Sequence, residues 1–281
     1  MADISSVSEG EDIVLQKPER HGPARGHDPG IAYYRLGGVP VSITDMKGLS
    51  AALARRLARG RAVPGAFVVF RDAHGIVRAQ DDAVLRDAHE AALLVCADGR
   101  PLAWIGRLRG HDAIAQVPGI ESVEAMCRAG LAHGWRHYFL GGGPGVAETL
   151  AREMQVRVPG LAVAGYETLP FRPLTDAETK AMRAKIGACG AQVLWIGLGT
   201  PKQELFMHAH APHLPGTVAM GVGAAFDVNI GAIPRAPKVL QRAGLEWLYR
   251  LIREPRRLSR RYATVVPRFI AIVLREAIRR T

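Results

Sequence analysis

Six short apolar runs recur along the chain: GAFVVF (65–70), AALLVC (91–96), HYFLGG (137–142), LAVAGY (161–166), AQVLWIG (191–197) and TVAMGV (217–222). Each has the length of a strand and is apolar nearly throughout, as expected of strands covered on both faces. The segments between most of them, such as 120–133 and 176–189, mix polar and apolar positions over helical lengths. This alternation predicts an α/β fold, a mostly parallel Rossmann-like sheet flanked by helices. Before it, YYRLGGVPVSITD predicts a short hairpin around Gly37 and Gly38, with Asp45 capping a helix that runs to about Arg59.

From Pro237 the rhythm changes. No further strand-like run occurs, and Leu245, Trp247, Leu248, Leu251 and Ile252 recur at helical spacing among arginines. Two or three helices broken at Pro255 and Pro267 are expected there. Three segments follow: a mobile, Gly- and Pro-rich tail at 1–30, an α/β catalytic domain at 31–236, and a basic amphipathic appendage at 237–281.

Charge sharpens this division. The chain of 281 residues carries a formal net charge of +11, and residues 235–281 hold thirteen Lys or Arg against three Glu. A neutral body with a basic end suits a polyanionic surface, either nucleic acid or an anionic membrane leaflet. The apolar stretch of a signal peptide is not seen at the N-terminus, and FIAIVL (269–274), flanked by Arg268 and Arg275, is too short to span a bilayer. Cys96, Cys127 and Cys189 stand far apart, which indicates neither a disulfide framework nor a zinc site and fits a reducing, cytoplasmic setting. His208, His210 and His213 have spacings that do not place all three on one helical face, and no acidic residue adjoins them, so no metal is expected.

Candidate chemistry gathers where strands end. GLGTPKQE (197–204) follows a strand with Gly197 and Gly199, which let backbone amides approach an anion. It then starts a helix with Thr200, Pro201, Lys202, Gln203 and Glu204 crowded at its positive end. FLGGGPGVAE (139–148) has the same strand-to-helix character, with Gly141, Gly142, Gly143 and Gly145, and is neither a Walker A loop nor a GxGxxG fingerprint. Open sheets bind ligands beyond the carboxyl ends of their strands, so these turns predict one phosphate-holding crevice. Asp98 closes another strand; it is either a desolvated general base or one half of an ordinary Asp-Gly turn.

Together these segments resemble the WecG/TagA/CpsF family of bacterial glycosyltransferases from about residue 36 to 275. The motifs that carry the resemblance are DG at 98–99, FLGGGPGVAE, GLGTPKQE, GVGAAFDVNIGAIPRAP (221–237) and QRAGLEWLYRLIREPRRLSRRY (241–262). The resemblance implies inverting, metal-independent transfer of a hexose, N-acetylhexosamine or uronic acid. The donor is a UDP-sugar and the acceptor a polyprenyl-diphosphate-linked glycan at the inner membrane face, in cell-surface or exopolysaccharide synthesis. No cofactor is implied beyond the UDP-sugar substrate, no nucleic acid is expected as a partner, and a homo-oligomer is compatible. Asp98 would be the base and Gln203 would orient the reacting sugars. The turns with Gly221, Gly223 and Asp227, together with Lys202 and the appendage residues Arg250, Arg257 and Arg260, would hold the donor.

The chain also departs from the family pattern. Where many members read TVNAE, it reads FRDAH, with Phe70 and Asp72 in place of threonine and asparagine, and Asp72 or His74 could share the base role. Gln116 stands where an arginine is common. Two competing readings are a basic anionic-surface or nucleic-acid binder with a decayed transferase site, and a nucleotide-dependent oxidoreductase that lacks the dinucleotide fingerprint.

Overall fold

The computed structural model describes residues 26–278, with the side chain of Arg257 left aside. In chain order it runs through β1 (Tyr33–Leu36), β2 (Val39–Ser42), α1 (Met46–Leu57), β3 (Ala66–Arg71), α2 (Ala73–Asp81), α3 (Ala83–Ala91) and β4 (Leu94–Ala97). Next come α4 (Arg100–Leu108), α5 (Gly119–Leu131), β5 (Arg136–Gly141), α6 (Val146–Arg157), β6 (Ala162–Glu167), α7 (Asp176–Ala188), β7 (Val193–Gly197), α8 (Lys202–His210) and β8 (Val218–Gly221). The chain closes with α9 (Ala225–Asn229), α10 (Lys238–Arg242), α11 (Glu246–Arg253) and α12 (Pro255–Ile278).

The six apolar runs are the six strands of one all-parallel sheet, in the order β4-β3-β8-β7-β5-β6. Successive side chains of a strand point to opposite faces, and the two cores divide accordingly. Val68, Phe70, Cys96, Phe139, Trp195 and Met220 meet residues of α1, α5, α6 and α9 on one side. Phe67, Val69, Val95, Leu140, Leu194 and Ile196 meet the hairpin and residues of α2, α4, α7, α8 and α12 on the other.

The hairpin forms as expected. Gly37 and Gly38 adopt φ of 57° and 77°, the left-handed pair that a two-residue β-turn with the right twist demands. Asp45 caps α1 by accepting from the Gly48 amide at 2.7 Å. Val95 donates its amide to Ser42 Oγ at 3.0 Å, so the hairpin shields the β4 edge.

Two expectations are revised. Of the mobile tail placed at 1–30, residues 1–25 lie outside the described part, and the remainder is anchored. The Asp28 amide donates to the Leu93 carbonyl at 3.0 Å, and its buried carboxylate accepts from Arg55 at 2.9 Å. The break at Pro267 is also absent, because α12 runs through it as one 24-residue helix. Val265, Phe269 and Ile272 straddle the proline on one face and are buried against the core beside α2 and β1. Burial of three such side chains, at about 1.5–3 kcal/mol each, outweighs the ~3 kcal/mol or more that an internal proline costs. Pro255 does mark a boundary, since α11 ends at Arg253 and Pro255 opens α12.

Candidate active site

All parallel strands of an open sheet end on one edge, and here that edge gathers the three glycine turns. The turn after β5 lies against the turn after β7: the Gly142 amide donates to the Gly197 carbonyl at 2.8 Å. A Cβ on Gly141, which has φ of 106°, would stand 2.8 Å from that same oxygen. The turn after β8 closes the group, as a Cβ on Gly223 would lie 3.4 Å from Gly199 Cα. Gly142, Gly143, Gly197, Gly199, Gly223 and Asp227 line one continuous trough, with Lys202 and the loop 169–174 on its flank.

Lys202 is exposed at the first position of α8. A cation at the positive end of a helix is disfavoured, and a phosphate bound there would offset that cost by attracting both the lysine and the helix N-terminus. Gly145, with φ of 78°, starts α6 without any side-chain cap, a second helix start on this edge. Thr200 and Pro201 form the turn into α8 through a cis peptide bond.

Asp98 does not line the trough. It follows β4, which β3 and β8 separate from β7, a distance of about 14 Å over three interstrand spacings. Its Oδ1 accepts from the Gly119 amide at 2.7 Å, and its own amide donates to the Arg71 carbonyl at 2.9 Å. Desolvation in this recess pushes the Asp98 carboxyl up to about 6, although the Gly119 hydrogen bond pulls against it; Asp72 and Glu246 add to the rise and Arg250 opposes it. That places its titration near neutrality, where a general base works best.

Gln116, Phe70, Asp72 and His74, set apart in the sequence, have different surroundings. Gln116 donates its side-chain amide to the Asp98 carbonyl at 2.7 Å and so holds the acidic turn. Phe70 is buried in the sheet core. Asp72 is exposed beside Gly99, where it caps α2 by accepting from the Gly75 amide at 2.9 Å. His74 is held below the ordinary imidazole value by desolvation, with Arg261, Arg71 and Arg78 reinforcing the drop against Asp72.

Helices α10 and α11 come over this end of the sheet. Arg100 at the start of α4 donates to the Gln241 carbonyl at 2.6 Å, and Arg235 bonds Glu121 and lies 3.7 Å from Glu246. Arg250, 3.9 Å from Glu246, is thereby brought into the electrostatic field of Asp98. Arg260 lies one turn into α12 and is exposed; Arg257 shares that helix, with its side chain outside the described part.

Two expected ligand groups are otherwise engaged. Glu204 is fully buried, and its Oε1 accepts from Arg71, from Thr200 Oγ1 at 3.0 Å and from Gln203 Nε2 at 3.1 Å. Its carboxylate holds the turn together and is not presented to solvent. Gly221 is buried as well; its carbonyl accepts from Gln203 Nε2 at 2.9 Å, and a Cβ there would meet Met207 at 2.5 Å. Of the histidines weighed for metal, the His208 ring lies edge-on to Phe67 and the His210 ring edge-on to Phe206.

The residue that sequence reading misses is Arg71. It is fully buried at the end of β3, and the signals for it were a lone charge closing an apolar run and Gly75 four residues on. A Cβ on Gly75 would fall 2.0 Å from Arg71 Nη1.

Fold and site thus define an open parallel α/β protein with a glycine-lined crevice and a recessed carboxylate on the same sheet edge. Such an arrangement suits group transfer from a phosphorylated donor. Residues 34–281 match the family model described as "Glycosyl transferase WecG/TagA/CpsF family". The chain belongs to this family, which makes it a glycosyltransferase of the kind that builds cell-surface polysaccharides.

Proposed function

We propose that this chain transfers a hexose, N-acetylhexosamine or uronic acid from a UDP-sugar to a polyprenyl-diphosphate-linked saccharide, with inversion at the anomeric carbon and without a bound metal. The observation that carries the reading is the pairing of a carboxyl raised to about 6 with glycine turns on one sheet edge. Asp98 takes the proton of the acceptor hydroxyl as that oxygen attacks the anomeric carbon, and the sugar leaves the UDP β-phosphate. Direct displacement by the acceptor inverts the centre.

Charge that builds on departing UDP needs donors already in place. Backbone amides at Gly143, Gly145, Leu198 and Gly199, the exposed Lys202 and the arginines of α11 and α12 supply them. Gln203, beneath Gly223, orients the reacting sugars. The separation of about 14 Å between the β4 and β7 ends leaves the diphosphate on the glycine side and the attacked carbon toward Asp98.

A lipid-linked acceptor is reached at a membrane surface. Trp247, Leu248 and Ile252 expose an apolar face of α11 beside Arg250 and Arg253. Basic groups near anionic lipid contribute about 1 kcal/mol each. Among the described residues no helix is long and apolar enough to cross a membrane, so attachment by this face would be peripheral. The test is a screen of UDP-sugars against a short-chain polyprenyl-diphosphate-sugar, read by product mass. A product one glycosyl unit heavier supports the reading; consumption of no UDP-sugar in the presence of acceptor contradicts it.

A further inference from the structure

We infer that Arg71 is a positioning residue for glycosyl transfer: its buried pair with Glu204 fixes the Gln203 carboxamide with Oε1 set beneath the Gly223 turn and couples that amide to the Asp98 turn. This rests on the reading that Asp98 and Gln203 belong to one transfer site.

The connections run through one residue. The Arg71 carbonyl accepts the amides of Asp98 at 2.9 Å and Gly99 at 3.3 Å. Its guanidinium donates to Glu204 and, at 3.4 Å, to Thr200 Oγ1. The backbone of Arg71 therefore holds the base turn, while its side chain reaches the first turn of α8.

Glu204 passes this constraint to its neighbour. Gln203 Nε2 donates to Glu204 Oε1 at 3.1 Å and to the Gly221 carbonyl at 2.9 Å. Both partners are pure acceptors, so the amide nitrogen must face them and the flipped orientation is excluded. Gln203 Oε1 is left buried with no protein partner, under Gly223, where a Cβ would stand 3.2 Å from it. The acceptor oxygen of Gln203 is thereby set against the underside of Gly223, a glycine that lines the crevice.

Stability alone does not account for the pair. Arg71 Nε and Nη1 and Glu204 Oε2 also have no protein partner. A buried ion pair that leaves polar atoms unmatched is commonly no better than apolar side chains of similar volume. His89 lies on the same side, buried and kept neutral by desolvation and by Arg71. What the pair provides is a fixed geometry for Gln203.

The double variant Arg71→Met/Glu204→Met removes both charges together and avoids a lone buried ion. It is expected to fold, to bind UDP within about threefold of wild type, and to lose kcat by about 10–100-fold, the size of a misplaced catalytic contact. In 15N spectra the Gln203 side-chain amide, assigned through Gln203→Met, is expected to be exchange-protected in the wild type and unprotected in the double variant. Wild-type kcat, or a Gln203 amide still protected in the double variant, overturns the inference. Loss of protection together with a wild type inactive on every UDP-sugar supports the coupling and sinks the transfer reading instead. Should the double variant not fold, Arg71→Lys is read in the same way, with lower kcat at unchanged donor KM expected and unchanged kcat overturning the inference.

Discussion

At the scale of single residues, Asp98 makes the sharpest commitments. Its ionised form must accept the proton, so kcat/KM should climb about tenfold per pH unit below the value of about 6 and level off above it. A pH profile with no inflection between 5 and 7 would remove Asp98 as the base. Stability should follow the opposite course. The folded value of about 6 lies above the ordinary 3.8, so the folded state holds the proton more tightly, and stability is lost as pH rises from about 4 to 6. Asp98→Asn escapes that loss; thermal melts should match wild type near pH 4 and lie higher at pH 8. Sequence alone left Asp98 open between base and turn residue, because the groups that surround it, Gly119, Gln116, Asp72, Glu246 and Arg250, arrive from other elements. Arg71 was only half legible: a lone charge closing an apolar run and Gly75 mark the position, but neither announces a partner glutamate 133 residues away.

At the scale of elements, the strands and most helices were readable because burial on both faces leaves an unbroken apolar run. The last helix was not. Its mixed composition suggested an appendage broken at Pro267, yet one face completes the core while the other faces outward. Arg109 to Glu276 at 2.7 Å and Arg268 to Asp81 at 2.7 and 2.8 Å fasten it further. Phe269→Ala should therefore cost about 3–5 kcal/mol in urea unfolding, as in a core position, whereas Ile270→Ala on the exposed face should cost under about 1 kcal/mol. Equal and small losses would mean that α12 is an independent appendage.

At the scale of the whole molecule, neutral body and basic end become one object: the same terminal helices approach the carboxylate, finish the core and present arginines with apolar side chains outward. Wild-type protein should sediment with anionic vesicles, less so at high salt and hardly at all with zwitterionic ones. Leu248→Asp/Ile252→Asp should weaken that binding at least about tenfold while leaving turnover of a water-soluble acceptor unchanged. The most direct measurement compares wild type with Asp98→Asn in transfer from a UDP-sugar to a short polyprenyl-diphosphate-sugar, alongside UDP binding to both. Loss of turnover by about 10²–10⁴ with UDP affinity kept is expected of a general base on a preserved donor site. Turnover at the wild-type rate in Asp98→Asn would contradict the account.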